Sequence, residues 1–142
     1  MLPEGAFRMD VPIRFSHSDP AGIVYFPHYF DMMNGLVEDW FYRRLKLDYA
    51  DLLLTHRRGL PTVHAECDFV RPSRMGETLT MGLLVDRVGT SSIALTIVGF
   101  HGDERRLRAT LVLVTTSLDT HRAIPVPDDL RRALEAYQTD CR

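Results

Sequence analysis

One periodic stretch of the chain, residues 28–46, predicts a long amphipathic helix. Its apolar residues recur at spacings of three and four, so they would share one face of the helix. That face consists of Phe30, Met33, Val37, Trp40, Phe41 and either Arg44 or Leu45. Pro27 suits the first helical turn, where its missing N–H is not needed. A glycine inside a helix is unfavourable, and a close approach of the helix to a sheet would explain Gly35.

Strand-like patterns account for most of the remaining chain. Within residues 62–70, apolar and polar residues alternate with a period of two, as they do along a strand with two different faces. Three further runs are rich in Val, Ile, Leu and Thr, namely residues 77–87, 91–101 and 106–118. Gly89-Thr90 and Gly102-Asp103 separate these runs, as the turns of hairpins would.

Three weaker patterns complete the predicted order of elements. Residues 7–16 read as a first strand, which Pro12 restricts to a sheet edge or an irregular start. A short helix around residues 48–57 is expected to end at Gly59, and a last helix occupies roughly residues 127–138. Because short turns join successive strands, the sheet should be mostly antiparallel and the fold class α+β, with the long helix packed on one sheet face.

Composition defines the class of protein but says little about its partners. The chain has 142 residues, of which 45% are hydrophobic and 25% charged, as expected for one globular domain spanning 1–142. Its net charge of −2 provides no general attraction to nucleic acid or to an anionic membrane. An anionic ligand would therefore need cations that are placed locally.

Cysteine usage and the distribution of apolar residues suggest a compartment. Cys67 and Cys141 make no disulfide framework, and we interpret them as free thiols of a reducing cytoplasm. The N-terminal residues lack the basic flank and the long apolar run of a signal peptide. No stretch approaches the ~18 uninterrupted apolar residues of a membrane span. These features predict a cytoplasmic protein with no membrane span and no nucleic-acid partner.

The most informative segment lies in the loop predicted for residues 17–27 and in the start of the long helix. It reads Asp19-Pro20-Ala21-Gly22-Ile23-Val24, then the aromatic pair Tyr25-Phe26, then Pro27-His28-Tyr29. This segment closely resembles the motif of the 4-hydroxybenzoyl-CoA thioesterase family, and residues 69–79 are similar to a strand-turn-strand segment common in such enzymes. The resemblance implies the hotdog fold, in which a curled, mostly antiparallel sheet wraps around one long central helix.

The resemblance assigns catalysis to Asp19. Thioester hydrolysis needs an activated oxygen nucleophile and a group that stabilises the developing oxyanion. Asp19 matches the family's catalytic carboxylate, which would attack the thioester carbonyl directly or activate a water molecule. The matching oxyanion donor is the backbone N–H of Phe26, because the N–H groups at a helix start lack partners within the helix. Outside such a motif, Asp-Pro would be read as an ordinary turn.

Further side chains of this segment are candidates for substrate binding. Tyr25, His28 and Tyr29 would line the acyl pocket, although aromatic residues at a helix start are more often plain core. His28 stands where the family often has Asn, and it would touch the acyl group, tune Asp19 or simply be solvated. A His17 imidazolium would lower the pKa of Asp19. The two histidines are weak evidence for a metal site, and the family needs neither a metal nor another cofactor.

A turn between two of the predicted strands is the candidate CoA site. The matching turn of the family carries cations and hydroxyl groups that bind the nucleotide phosphates, which implies Arg87, Thr90 and Ser91 here. Arg71 and Arg74 are additional candidates, since a guanidinium binds phosphate through two parallel hydrogen bonds. Exposed arginines otherwise serve solubility alone.

The predicted function is hydrolysis of an aryl- or short-chain acyl-CoA by a homodimer or homotetramer. Hotdog domains commonly pair to extend their sheets, and one of His64, Glu66 and Asp68 would then reach the partner's pocket instead of forming a solvated face. Two alternatives stay open: hydrolysis of an acyl group on an acyl-carrier protein, and a non-catalytic acyl-CoA-binding or scaffold module. Hotdog dehydratases use a helix acid, for which Glu38 and Asp39 are present, but the loop motif favours hydrolysis.

Overall fold

The computed structural model describes residues 2–142 and has an α+β architecture. Its main strands are β1 (Arg8–Pro12), β3 (Thr62–Phe69), β4 (Thr78–Val88), β5 (Ser92–His101) and β6 (Glu104–Val114). They form one antiparallel sheet in the order β1-β4-β5-β6-β3. Two short strands, β2 (Arg58–Gly59) and β7 (Thr116–Ser117), pair separately. The helices are α1 (Pro27–Trp40), which continues as a π-helical turn (Phe41–Leu45), α2 (Tyr49–Leu54) and α3 (Asp128–Asp140).

The central helix forms where the apolar periodicity predicts it. Pro27 occupies its first turn, and the left-handed Lys46 (φ 58°) follows the π-helical turn and ends it. The buried side chains of α1 are Tyr29, Met32, Met33, Leu36, Val37 and Trp40. They share one core with alternate residues of the sheet, such as Leu79, Met81, Leu95, Ile97 and Leu111. The predicted hotdog arrangement, a sheet packed around one long helix, is confirmed.

Strand boundaries differ from the prediction at both ends of the sheet. The first strand ends at Pro12, on a sheet edge as expected, but a 3-10 turn at Phe15–His17 replaces the predicted strand up to residue 16. Strand β6 ends at Val114; the N–H of Thr115 donates to the carbonyl of Ser91 at 2.8 Å, and its hydroxyl donates to the carbonyl of Ile124 at 2.8 Å. The next residues, Thr116–Ser117, form β7 and pair with β2 instead of β5, so β6 ends short of residue 118.

Two expectations about glycines are wrong. Gly59 does not end the second helix, because α2 stops at Leu54 and Gly59 is a buried residue of β2. The chain reverses instead at Arg57, which has a positive φ of 55°. Gly35 lies on the exposed side of α1, where an added Cβ would meet no atom within 4 Å. A close approach of helix to sheet therefore does not explain it.

One outer edge of the sheet is covered by a helix, and the other is exposed. Helix α3 packs against β4, and the side chains of Tyr137 and Gln138 bond to the carbonyls of Leu83 and Val85. At the opposite edge, β3 has no second partner strand among residues 2–142, and all its residues except Cys67 are exposed. No helix in this part of the chain is both long and apolar enough to cross a membrane.

Candidate active site

The candidate site is a closed turn between the 3-10 turn and α1. The N–H of Gly22 donates to the carbonyl of Asp19 at 2.9 Å, and the N–H of Asp19 donates to the carbonyl of Ile23 at 2.9 Å. Gly22 has a positive φ of 78°, which residues with a Cβ rarely adopt. The Asp-Pro-Ala-Gly sequence therefore folds into a tight loop with Asp19 at its start.

The carboxylate of Asp19 is half-buried and only partly engaged. Its Oδ1 accepts a hydrogen bond from the N–H of Ala21 at 2.8 Å. Its other oxygen accepts no hydrogen bond from residues 2–142. One oxygen thus fixes the orientation of the side chain and leaves the other for a substrate or a water molecule, as a nucleophile or a general base requires.

A free backbone donor lies at the start of α1. The N–H groups of Val24, Tyr25, His28 and Tyr29 donate to the carbonyls of Ser73, His17, Tyr25 and Phe26, in that order. Pro27 has no N–H, and the N–H of Phe26 has no acceptor within the described residues. The sequence-predicted oxyanion donor is therefore unpaired, at the positive end of the helix dipole.

The two histidines of the segment lie side by side. The Nδ1 of His17 accepts a hydrogen bond from the N–H of Arg14 at 3.0 Å, so this nitrogen carries no proton. Burial and the nearby His28 and Arg14 lower the pKa of His17. The acceptor role of Nδ1 and the lowered pKa both disfavour the imidazolium that the sequence suggested beside Asp19. No group of three metal-ligating side chains occurs among residues 2–142.

The aromatic residues of the motif occupy two different environments. Tyr25 and Phe26 are 52% and 56% exposed, and the Phe26 ring lies 6.1 Å from that of Phe69. Tyr29 is 5% exposed, and its hydroxyl accepts a hydrogen bond from the N–H of Ser73 at 3.2 Å. Tyr29 therefore joins α1 to the chain behind the loop, while Tyr25 and Phe26 remain open to a ligand. His28 belongs to the same rim, because its ring centre is 5.8 Å from that of Tyr25.

The candidate CoA turn is remote from Asp19 within one chain. Strand β4 begins beside the Asp19 loop and ends just before Thr90 and Ser91, which puts about 30 Å of strand between them. The carbonyls of Thr90 and Ser91 accept hydrogen bonds from Val126 and Thr115. By contrast, Arg74 forms an isolated bridge with Ile23 and lies next to the loop.

A cavity that the sequence did not single out opens beside α1. Its volume is about 360 Å³, and its walls include Asn34, Val37 and Glu38 of α1 together with Tyr49 and Leu111. Asn34 lies about 12 Å along the helix from Phe26. In the sequence, Glu38 is notable only as a possible helix acid and Asn34 is not notable at all; the packing of α1 on β6 brings both together with Leu111.

Comparisons with known proteins bear on the family and the fold. The sequence model of the thioesterase-like superfamily matches residues 13–134. A 1,4-dihydroxy-2-naphthoyl-CoA hydrolase of Nostoc punctiforme is 23% identical over 135 residues, which cover 95% of this chain and 90% of that protein. A thioesterase-superfamily structure from Jannaschia sp. CCS1 superposes with a TM-score of 0.88 at 27% identity, covering 96% of this chain and 95% of that one.

A further solved relative has the same fold. A 1,4-dihydroxy-2-naphthoyl-CoA thioesterase from Synechocystis superposes with a TM-score of 0.83 at 22% identity, over 91% of this chain and 95% of that chain. The superfamily match includes the Asp19 loop, the central helix and all the long strands of the sheet. Because that match spans most of the sequence, the chain belongs to the thioesterase-like superfamily.

Proposed function

We propose that this protein hydrolyses an aryl- or short-chain acyl-CoA thioester to the free acid and CoA. The observation that carries the proposal is the pairing, on one loop, of an open Asp19 carboxylate oxygen with the unpaired N–H of Phe26. Superfamily membership supports thioester chemistry. The Nostoc and Synechocystis relatives, which act on 1,4-dihydroxy-2-naphthoyl-CoA, support an aromatic acyl group.

The proposed reaction uses these two groups in order. The free oxygen of Asp19 attacks the thioester carbonyl to give an anhydride, or it removes a proton from the water that attacks. The carbonyl oxygen becomes an oxyanion, which the N–H of Phe26 and the start of α1 stabilise. Collapse of the intermediate breaks the C–S bond and releases CoA as a thiolate, which then takes up a proton. In the anhydride route, water subsequently regenerates the carboxylate.

The cavity beside α1 suits the acyl group by size and lining. Its volume of about 360 Å³ falls in the lower part of the range for small-molecule pockets. Its apolar walls are Val37, Leu111 and Leu113, with Asn34 and Glu38 as polar members; because Asn34 lies about 12 Å along α1 from Phe26, an acyl group that starts at Asp19 must span that distance to enter the cavity. Tyr25 and His28 would flank the thioester at the rim.

A complete site is proposed to need a second copy of the chain. Arg87, Thr90 and Ser91 are separated from Asp19 by the length of β4, so one chain does not place them around one thioester. The unpartnered and exposed strand β3 supports a homodimer or homotetramer in which two sheets join. The bound CoA would then lie against groups of both copies, with Arg71 and Arg74 next to the Asp19 loop.

The test is thiol release from a panel of aryl- and alkyl-CoA thioesters. Wild type should turn over, and Asp19→Asn should reduce kcat by at least ~10²-fold while the far-UV circular dichroism stays unchanged. Asp103→Asn, an exposed change in the β5–β6 turn, is the matched control and should retain activity. Absence of thiol release from every ester by wild type would favour an acyl-carrier-protein substrate or a binding module. Full activity of Asp19→Asn would refute the role of Asp19.

A further inference from the structure

A buried arginine lies behind the Asp19 loop. Its sequence context, Glu104-Arg105-Arg106, gives no sign of burial, yet the side chain of Arg106 is only 8% exposed. The pairing of β5 with β6 passes from Gly99–Leu107 directly to Phe100–Arg105, so Arg106 is the extra residue of a β-bulge. A bulge redirects the side chain that it carries.

The guanidinium of Arg106 binds several groups at once. Its Nη1 and Nη2 donate to the two carboxylate oxygens of Glu77, at 3.0 and 3.2 Å, and its Nε donates to Glu104 at 2.6 Å. Nη1 also donates to the carbonyl of Pro72 at 3.0 Å and to the hydroxyl of Ser73 at 3.3 Å. A bidentate Arg–carboxylate contact fixes the relative orientation of the two side chains, which a single hydrogen bond does not. Arg106 therefore fastens the segment 72–77 to β6.

The segment 72–77 also packs against the Asp19 loop and forms hydrogen bonds with it. The N–H of Val24 donates to the carbonyl of Ser73, and the N–H of Met75 donates to the carbonyl of Gly22, both at 3.0 Å. Gly22 in turn closes the turn onto Asp19. The carboxylate of Asp19 is thus only a few hydrogen bonds away from the Arg106 guanidinium.

Ser73 joins the three parts of the site. It is 1% exposed, and each of its polar groups has a partner on a different element. Its carbonyl accepts from Val24 of the loop, its N–H donates to the Tyr29 hydroxyl on α1, and its hydroxyl accepts from Arg106 on β6. A shift of Ser73 would therefore move the loop that carries Asp19 relative to the helix that carries the Phe26 N–H.

We propose that the Arg106–Glu77 ion pair is a positioning device for hydrolysis. By fixing Ser73 it sets the distance between the Asp19 carboxylate and the oxyanion donor at Phe26. The proposal rests on the proposed function. The side chains of this pair are 8% and 24% exposed. An ion pair withdrawn from solvent contributes little net stability compared with an apolar replacement, whereas it holds its two partners in one geometry. Misplacement of reacting groups by about 1 Å costs on the order of 10²-fold in rate.

The first test replaces the carboxylate by an amide of the same shape. Glu77→Gln should lower kcat about 10-fold and change KM by less than about twofold, since the substrate contacts remain but their alignment is lost. Glu135→Gln, which breaks the exposed ion pair with Arg131 on α3, is the matched control and should keep both constants. Ser73→Ala, which removes a single hydroxyl, is a milder variant with an expected loss of about threefold in kcat.

Amide hydrogen exchange gives a readout that does not depend on turnover. Glu77→Gln should accelerate exchange at the Val24 and Met75 amides, while the amides of β5 stay protected; Ser73→Ala serves here if Glu77→Gln does not fold. Unchanged exchange in a folded variant would overturn the proposal. So would faster exchange with unchanged kcat, or a loss of thermal stability alone. Faster exchange in a protein whose wild type releases no thiol would uphold the positioning of the loop and refute the proposed acyl-CoA hydrolysis instead.

Discussion

At the scale of single residues, Glu77 shows how strongly one carboxylate is held. Arg106 approaches both of its oxygens, and Oε1 also accepts from the N–H of Arg74 at 2.7 Å. His101 places its Nε2 3.3 Å from Oε2. The hydrogen bonds from Arg106 and then from Arg74 lower the pKa of Glu77 from 4.5 to about 2. Protonation of this residue is thus linked to unfolding.

The direction of that linkage predicts a pH dependence of stability. The folded pKa of Glu77 is about 2 and the ordinary value is 4.5, so the unfolded chain binds the proton first as the pH falls. The contribution of Glu77 is present above pH 4.5 and is lost as the pH falls toward 2. Urea unfolding from about pH 6 to about pH 2.5 should show wild type losing its advantage over Glu77→Gln, by up to ~1.4 kcal/mol per pH unit. A difference that is constant over this range would contradict the assignment.

The sequence predicts the site residues of the loop motif but not the residues that hold this loop in place. Asp19 and Phe26 belong to one continuous segment, so their placement on the same loop follows from the sequence itself. Arg106, by contrast, is buried only because a bulge in β6 interrupts the alternation of exposed and buried positions. In the sequence, Arg106 stands among other charged residues, such as Arg105 and Arg108, and therefore looks solvent-exposed. No sequence pattern marks the bulge. The hydrogen bond from the Arg14 N–H to the His17 ring likewise follows from the 3-10 turn and has no sequence pattern of its own.

At the scale of elements, α3 completes the sheet with side chains instead of a strand. Strand β1 pairs with β4 only from Thr78 to Gly82, which would leave the carbonyls of Leu83 and Val85 unpaired. The hydroxyl of Tyr137 donates to the Leu83 carbonyl at 2.6 Å and accepts from the Phe7 N–H at 2.7 Å. The sequence predicted a C-terminal helix, but the edge that it covers follows from side-chain reach, which periodicity does not encode.

Removing that one hydroxyl should therefore destabilise the protein. Tyr137→Phe leaves two backbone groups without partners in a site where Tyr137 is 2% exposed, and the expected loss is about 1–3 kcal/mol of unfolding free energy. Tyr42→Phe is the control, because the Tyr42 hydroxyl also accepts a hydrogen bond from a backbone N–H, that of Ala50, but lies at the surface. It should reduce the free energy of unfolding by less than about 1 kcal/mol. Equal urea midpoints for the two variants would show that α3 does not satisfy the β4 edge.

At the scale of the whole molecule, strand β3 is the feature that one chain leaves unexplained. The alternation of Val63, Ala65, Cys67 and Phe69 predicts a strand, and the strand is present, but Val63 and Phe69 remain 61% and 46% exposed. Periodicity reports that a face is apolar and does not report which chain covers it. An exposed strand with apolar residues and a free edge is a site for pairing with another strand. We attribute the pattern to a second copy.

A charge on the exposed face of β3 should separate the copies without unfolding either of them. In a twofold dimer every substitution occurs twice at the same interface, so Val63→Lys brings two like charges to a surface that is 61% exposed in the single chain. Light scattering after size exclusion should show wild type as a dimer or tetramer and Val63→Lys as smaller, with reduced turnover. Leu54→Lys, at a residue of α2 that is 75% exposed, should keep the wild-type size and activity. A monomeric wild type would contradict the pairing through β3. Full turnover by that monomer would also contradict the need for a second copy, because a single chain would then bind and hydrolyse the substrate without the partner's Arg87 turn.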